Sequence, residues 1–130
     1  MRRNRRLGLA AALATVAAAV VTGTAAVSAE ANSHGCSGAA CIYLYSRGGS
    51  GPFITHVQAY RPSWYPQYKG HYHITGPGIS ANGVDAWGPP GFSIYPNRTF
   101  ADGSVFCVEA WTYSGGSWVL KGRACKTVEA

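Results

Sequence analysis

The chain is 130 residues long and carries eleven Lys and Arg against five Asp and Glu, a formal net charge of +6. Four of the cations, Arg2, Arg3, Arg5 and Arg6, crowd the start. From Glu30 onward seven scattered ones (Arg47, Arg61, Lys69, Arg98, Lys121, Arg123, Lys126) face five anions (Glu30, Asp85, Asp102, Glu109, Glu129), a balance of about +2. A nucleic-acid binder needs its basic residues clustered, so nucleic acid is excluded as a partner, as is a membrane surface once the amino-terminal arginines are gone.

Residues 1–29 read as a secretory signal peptide. An arginine-rich start leads into an apolar run from Leu7 to Val21, then into small residues with Val27-Ser28-Ala29 as the cleavage site before Glu30. The run falls short of the ~20 apolar residues that cross a bilayer, so it describes a leader removed on export. Arg5-Arg6-Leu7-Gly8-Leu9 leaves the export route open. The mature chain, 30–130, is expected to be one secreted, extracellular, monomeric domain without a cofactor. Covalent staples help a core of that size, and all four cysteines, Cys36, Cys41, Cys107 and Cys125, follow the cleavage site. An oxidising destination makes two disulfides the expectation. No Cys-x-x-Cys pair offers a zinc site.

In chain order, short alternating aromatic and β-branched runs separated by Gly and Pro predict strands near Ala40–Tyr45, Phe53–Tyr60, His71–Thr75, Phe92–Tyr95, Val105–Thr112 and Trp118–Cys125. No long segment has helical periodicity. The fold class is therefore all-β, a small antiparallel sandwich or barrel.

Between the second and third of these strands lies the richest stretch, AYRPSWYPQYKGHYHITGPG, Ala59 to Gly78. Tyr60, Trp64, Tyr65 and Tyr68 stand among Pro62, Pro66 and Gly70, an irregular connection of the kind that runs over a surface. Rigid aromatics on such a loop, residues 60–72, suit contact with a polysaccharide or another protein. The alternative is that they plug the core. His71 and His73 follow, two apart on a strand and so on one side, about 6.5 Å apart along the backbone. With His56 as a third ligand they form a candidate copper or zinc site. His34 is a further metal candidate if processing after Ser33 exposes it as the first residue. Against a metal, no carboxylate is evident to orient these imidazoles, and the two strand histidines are equally at home facing water.

The segment SVFCVEAWTYSGGSWVLKGRAC reads as a hairpin. A three-residue loop at Gly115-Gly116-Ser117 sets Cys107 opposite Cys125, Glu109 opposite Arg123, and Trp111 opposite Lys121 as a cation–π pair, with Val108 facing Ala124 and Thr112 facing Leu120. That register pairs Cys107 with Cys125 and leaves Cys36 for Cys41.

Groups for catalysis are scarce. With Glu109 given to Arg123, Asp102-Gly103 read as a turn and Glu30 and Glu129 near the ends, Asp85 is the one carboxylate left over, so a paired-carboxylate glycosidase is not expected. There is no G-x-S-x-G elbow, no spare cysteine, and no phosphate loop in SRGGSGP. Asn97-Arg98-Thr99 is a glycosylation sequon, meaningful in a host that uses it. A non-enzyme is expected.

CSGAACIYLY, Cys36 to Tyr45, resembles the start of a family of small secreted actinobacterial proteins that includes a metalloproteinase inhibitor with a crystallin-like β-sandwich: Cys-x-x-x-x-Cys enters a tyrosine-containing strand directly. Further along the pattern departs, since Ser63 occupies the first aromatic place of the crystallin signature near Gly70. The resemblance implies a sandwich and peptidase inhibition, with no inhibitory residue to carry over. The expected function is extracellular recognition, with peptidase inhibition as the alternative and a copper or zinc site as a third reading.

Overall fold

In the computed structural model, which describes residues 33–129, buried and partly exposed side chains alternate over 42–45, 57–60, 70–74 and 108–111, as the two-residue period of extended backbone allows, while 117–121 are exposed throughout. Ten strands follow in chain order: β1 (His34–Ser37), β2 (Ala40–Ser46), β3 (Phe53–Tyr60), β4 (Lys69–Gly76), β5 (Ile79–Asn82), β6 (Ala86–Trp87), β7 (Phe92–Ile94), β8 (Arg98–Thr99), β9 (Val105–Ser114) and β10 (Ser117–Thr127). The expected leader and cleavage site lie outside the described residues. Among those residues no helix is long and apolar enough to cross a membrane.

Every pairing is antiparallel. One sheet runs β1-β2-β3-β7, with β8 beside the other end of β3; the second runs β10-β9-β4-β5, with β6 beside the start of β4. The six expected strands are all present. The four that sequence reading missed, β1, β5, β6 and β8, have two to four residues each, too few to show an alternation of their own. They are extended because a longer neighbour supplies hydrogen bonds to them.

The two inner faces share one core. Ile42 and Leu44 of β2 and Ile54, Val57 and Ala59 of β3 meet Tyr72 and Ile74 of β4, Phe106, Val108 and Ala110 of β9, and Ala124 of β10. This is a sandwich, with each sheet contributing alternate residues to the apolar layer. Burial of each large aliphatic side chain stabilises by roughly 1.5–3 kcal/mol.

The β9–β10 hairpin corrects one expectation. Its loop has two residues, Gly115 and Gly116, both at positive φ (62° and 86°), with Ser114 opposite Ser117. Two successive left-handed residues make the turn whose twist matches that of the strands. Trp111 therefore faces Leu120 and Thr112 faces Val119, not Lys121 and Leu120 as expected. A bulge between Leu120 and Gly122 then absorbs one residue, and the expected register is restored at Ala110–Gly122, Glu109–Arg123, Val108–Ala124 and Cys107–Cys125.

The bulged residue, Lys121, turns its carbonyl away from β9, where it accepts a hydrogen bond from the Ala39 N–H at 3.0 Å. Ala39 belongs to the turn between β1 and β2, in the other sheet. Gly122 permits that approach: a methyl on its Cα would lie 2.2 Å from the Ser37 carbonyl oxygen and 2.6 Å from the Ala39 nitrogen. Both disulfides form as expected, Cys36–Cys41 and Cys107–Cys125, each across directly opposed residues of a hairpin. The second, 18 residues apart, contributes about 3 kcal/mol in the chain-entropy account.

Candidate functional site

The aromatic stretch resolves into both of its readings. The turn at its start is held by the Tyr65 N–H donating to the Pro62 carbonyl at 3.0 Å, and by the Arg61 guanidinium donating to the carbonyls of Pro62 and Tyr65. From there the rings descend edge-on into the molecule, Trp64 to Tyr65 at 5.9 Å, Tyr65 to Tyr68 at 6.2 Å and Tyr68 to Tyr72 at 6.3 Å. Trp64 is 68% exposed, whereas Tyr68 is 8% exposed and belongs to the core, with half-buried Tyr65 packed against it. Tyr60 is half-buried on β3, opposite Cys41. The four candidate contact residues thus do not make one surface. The Tyr68 hydroxyl is buried without a hydrogen bond of good geometry among the described residues, and burial, with the neighbouring Tyr72 hydroxyl second, pushes its pKa well above the ordinary phenol value.

A different set of side chains comes together on the outward face of the second sheet. Strand register puts His71 opposite Trp111, and Trp111 opposite Leu120; in the next row His73 lies between Asn82 and Glu109, and Glu109 faces Arg123. His71, His73, Asn82, Glu109, Trp111 and Trp118 line an open groove of about 350 Å³. The Trp118 ring, 46% exposed, meets His71 edge-on at 4.8 Å and Tyr113 edge-on at 5.1 Å.

The polar groups of the groove are fixed by one another. Glu109 accepts from the Trp111 indole N–H at 3.1 Å with one oxygen and from Arg123 Nε at 3.1 Å with the other. His73 Nδ1 lies 2.7 Å from Asn82 Oδ1, and its Nε2 lies 3.2 Å from the Ser80 hydroxyl. His71 Nδ1 stands 3.4 Å from Asp85 Oδ1, while Lys69 Nζ reaches Asp85 Oδ2 at 3.3 Å. Against the upward push of desolvation, the hydrogen bonds from Lys69 and His71 hold the Asp85 carboxyl below its usual range. Asp85, read from sequence as the carboxylate left over, is therefore engaged, and it supplies the orienting group that His71 lacked on paper.

The third histidine of the candidate metal set does not join them. His56 is in the other sheet, stacked between Tyr45 at 3.7 Å and Tyr95 at 5.1 Å. Tyr43 continues the row by stacking on Tyr45 at 4.2 Å, and His34 ends it 5.6 Å from Tyr43. His34 and His56 thus belong to a ladder of rings on the opposite sheet, and a site combining either with His71 and His73 is ruled out by the fold. Among the described residues no three His, Cys, Asp or Glu side chains gather as a metal site would require.

Sequence reading missed Trp111 and Trp118 as site residues because they face His71 only through the β4–β9 pairing, between segments some forty residues apart. The three-residue loop expected from sequence would set Trp118 on the face opposite Trp111, and it is the two-residue turn that brings both tryptophans to one face of adjacent strands. Comparison of the chain with protein-family models, with characterised proteins and with solved structures finds no match.

Proposed function

We propose that the protein is a secreted, non-catalytic recognition module that holds a polysaccharide in the groove of the second sheet. The observation that carries this reading is the combination on one outward face of indole rings and oriented hydrogen-bonding groups, Glu109, Asn82, His71 and His73, around an open 350 Å³ groove. Sugar rings present apolar C–H faces and a rim of hydroxyls. Indole surfaces complement the first and fixed polar groups the second. The two disulfides suit an oxidising compartment, in keeping with the leader read at 1–29.

Retention on insoluble polysaccharides, cellulose, chitin and cell-wall preparations, tests the assignment. Trp118→Ala and Trp111→Ala are expected to weaken binding tenfold or more, about 1.4 kcal/mol, with an unchanged circular dichroism spectrum. Retention unaffected by both changes would remove the groove from consideration. Peptidase inhibition is the second reading, and the exposed Trp64 on the turn pinned by Arg61 favours it. Saturable inhibition of an extracellular peptidase, abolished by Trp64→Ala, would establish it instead.

A further inference from the structure

The sheets of a sandwich end in strands whose outer N–H and C=O groups have no partner within the sheet. In the second sheet those strands are β5 and β10. The two exposed residues of β5 are Ser80 and Asn82, both polar. β10 differs. All of 117–121 is exposed, and three consecutive large apolar side chains stand there, Trp118 at 46%, Val119 at 40% and Leu120 at 43%. Such a row on an edge is a template for pairing with another strand.

The hairpin geometry identifies the open backbone groups. A two-residue turn is closed by a hydrogen-bonded pair, here Ser114 with Ser117. Bonded and non-bonded pairs then alternate along the ladder. Val119 is therefore bonded to Thr112, and Trp118 and Leu120 turn their N–H and C=O groups away from β9. The far end of the hairpin agrees. The same alternation along β9 makes Cys107–Cys125 a non-bonded pair, and its Cα atoms are 4.1 Å apart, near the closer of the two spacings. The open stretch is bounded on one side by the Gly115-Gly116 turn. On the other, the Ala39 N–H donates to the Lys121 carbonyl, and a methyl on Gly38 would lie 2.3 Å from that oxygen, so the β1–β2 turn covers the edge from there on. Among the described residues no backbone hydrogen bond reaches Trp118 or Leu120 from the open side.

We infer that this stretch is the interface of a symmetric dimer, in which β10 pairs antiparallel with β10 of a second copy about a two-fold axis at Val119. It takes the place of the monomer expected from sequence, and it does not depend on what the groove holds. In this register Trp118 lies opposite the partner's Leu120, Leu120 opposite the partner's Trp118, and Val119 opposite the partner's Val119. Every open group is then used, because each tryptophan–leucine pair exchanges two hydrogen bonds. Moving the axis to either neighbouring residue carries one hydrogen-bonding residue of each copy beyond the open stretch, into the glycine turn or under the β1–β2 turn. The charges suit the same register. Lys121 faces the partner's Ser117, and the two lysines stand four residues apart along the ladder, ~13 Å, beyond the Debye length of ~8 Å at physiological salt. Trp118 and Leu120 share the face that bears the groove, so the grooves of both copies open on one side of a continuous sheet.

The test is the mass of the purified protein in solution, by sedimentation from micromolar to millimolar concentration. The wild-type protein is expected to pass from monomer to dimer. Val119→Lys and Val119→Glu each set like charges directly opposite one another and should weaken association tenfold or more, whereas an equimolar mixture of the two should recover dimers holding one copy of each. Val84→Lys, the same change at an exposed valine away from this edge, should leave association intact. Val119→Cys should give a cross-linked dimer under mild oxidation, because a non-bonded pair holds its Cα atoms about 4.5 Å apart, within disulfide reach. Circular dichroism confirms that each variant is folded. A protein that stays monomeric at millimolar concentration overturns the inference and leaves the edge to an extended peptide of another protein. Association that survives Val119→Lys overturns the two-fold pairing at Val119. So do charge variants that fail to associate on mixing, or a Val119→Cys protein that forms no cross-link where the wild type is a dimer.

Discussion

At the scale of single residues, Tyr68 sits where two opposing demands meet. Its ring is part of the core, wedged edge-on between Tyr65 and Tyr72, while its hydroxyl is buried with no hydrogen bond of good geometry among the described residues, its interaction with the Tyr72 hydroxyl falling short of one. Leaving such a group unpaired costs roughly 1–3 kcal/mol. Tyr68→Phe keeps the ring and removes the orphan, so it is expected to stabilise the fold by about 1 kcal/mol, read as a higher midpoint in urea. A loss of stability would mean that the hydroxyl finds a partner in solution. The aromatic loop shows how far sequence carries at this scale. The presence of many rings was legible, but which of them turn inward was not, because Trp64 and Tyr68 are both large aromatics with one polar group, and their placement follows from how the Pro62–Tyr65 turn aims the chain.

At the scale of elements, the β9–β10 hairpin was legible in its pairing and its disulfide, and illegible in two details. Gly115-Gly116-Ser117 reads equally well as a three-residue loop or as a two-residue turn followed by a strand residue. The bulge that reconciles the turn with the Cys107–Cys125 register has its cause elsewhere, in the docking of the β1–β2 turn on β10. Contacts between segments so far apart in sequence leave no local pattern. Gly122 is the sequence mark of that docking, and Gly122→Ala tests it. A methyl directed at the Ser37 carbonyl and the Ala39 nitrogen cannot be relieved by a side-chain rotation, since both obstacles are backbone atoms. The change is expected to cost roughly 3 kcal/mol or more and to lower the thermal midpoint accordingly. Gly48→Ala is the control, because a methyl at Gly48 meets nothing within 4 Å and only the positive φ of 71° opposes it. Equal costs at the two positions would show that the close approach at Gly122 carries no special penalty.

At the scale of the whole molecule, the sandwich presents two outward faces built from similar residue types to different ends. On the first sheet the rings of Tyr43, Tyr45, His56 and Tyr95 lie nearly parallel, 3.7–5.1 Å apart, so they cover one another and stiffen the sheet. On the second, the rings of His71, Trp118 and Tyr113 meet edge-on beside an open groove. Acid acts on the stability of the fold in two separable windows. Burial holds the His56 pKa below its ordinary 6.5, so the unfolded chain takes up that proton more readily than the folded one. Stability is then fully present above pH 6.5 and is lost progressively as pH falls through that value toward the lower one of the folded state. The Asp85 carboxyl, held below its ordinary 3.8, gives the same sign in a more acidic window, losing its contribution only as pH falls below 3.8. A thermal midpoint series from pH 8 to pH 4.5 isolates the first effect. The wild-type midpoint is expected to fall across that range, and His56→Phe, which keeps a ring between Tyr45 and Tyr95 but cannot take a proton, should show a shallower fall. An unchanged slope in His56→Phe would place the acid-sensitive group elsewhere and leave the ring ladder with no part in the pH response.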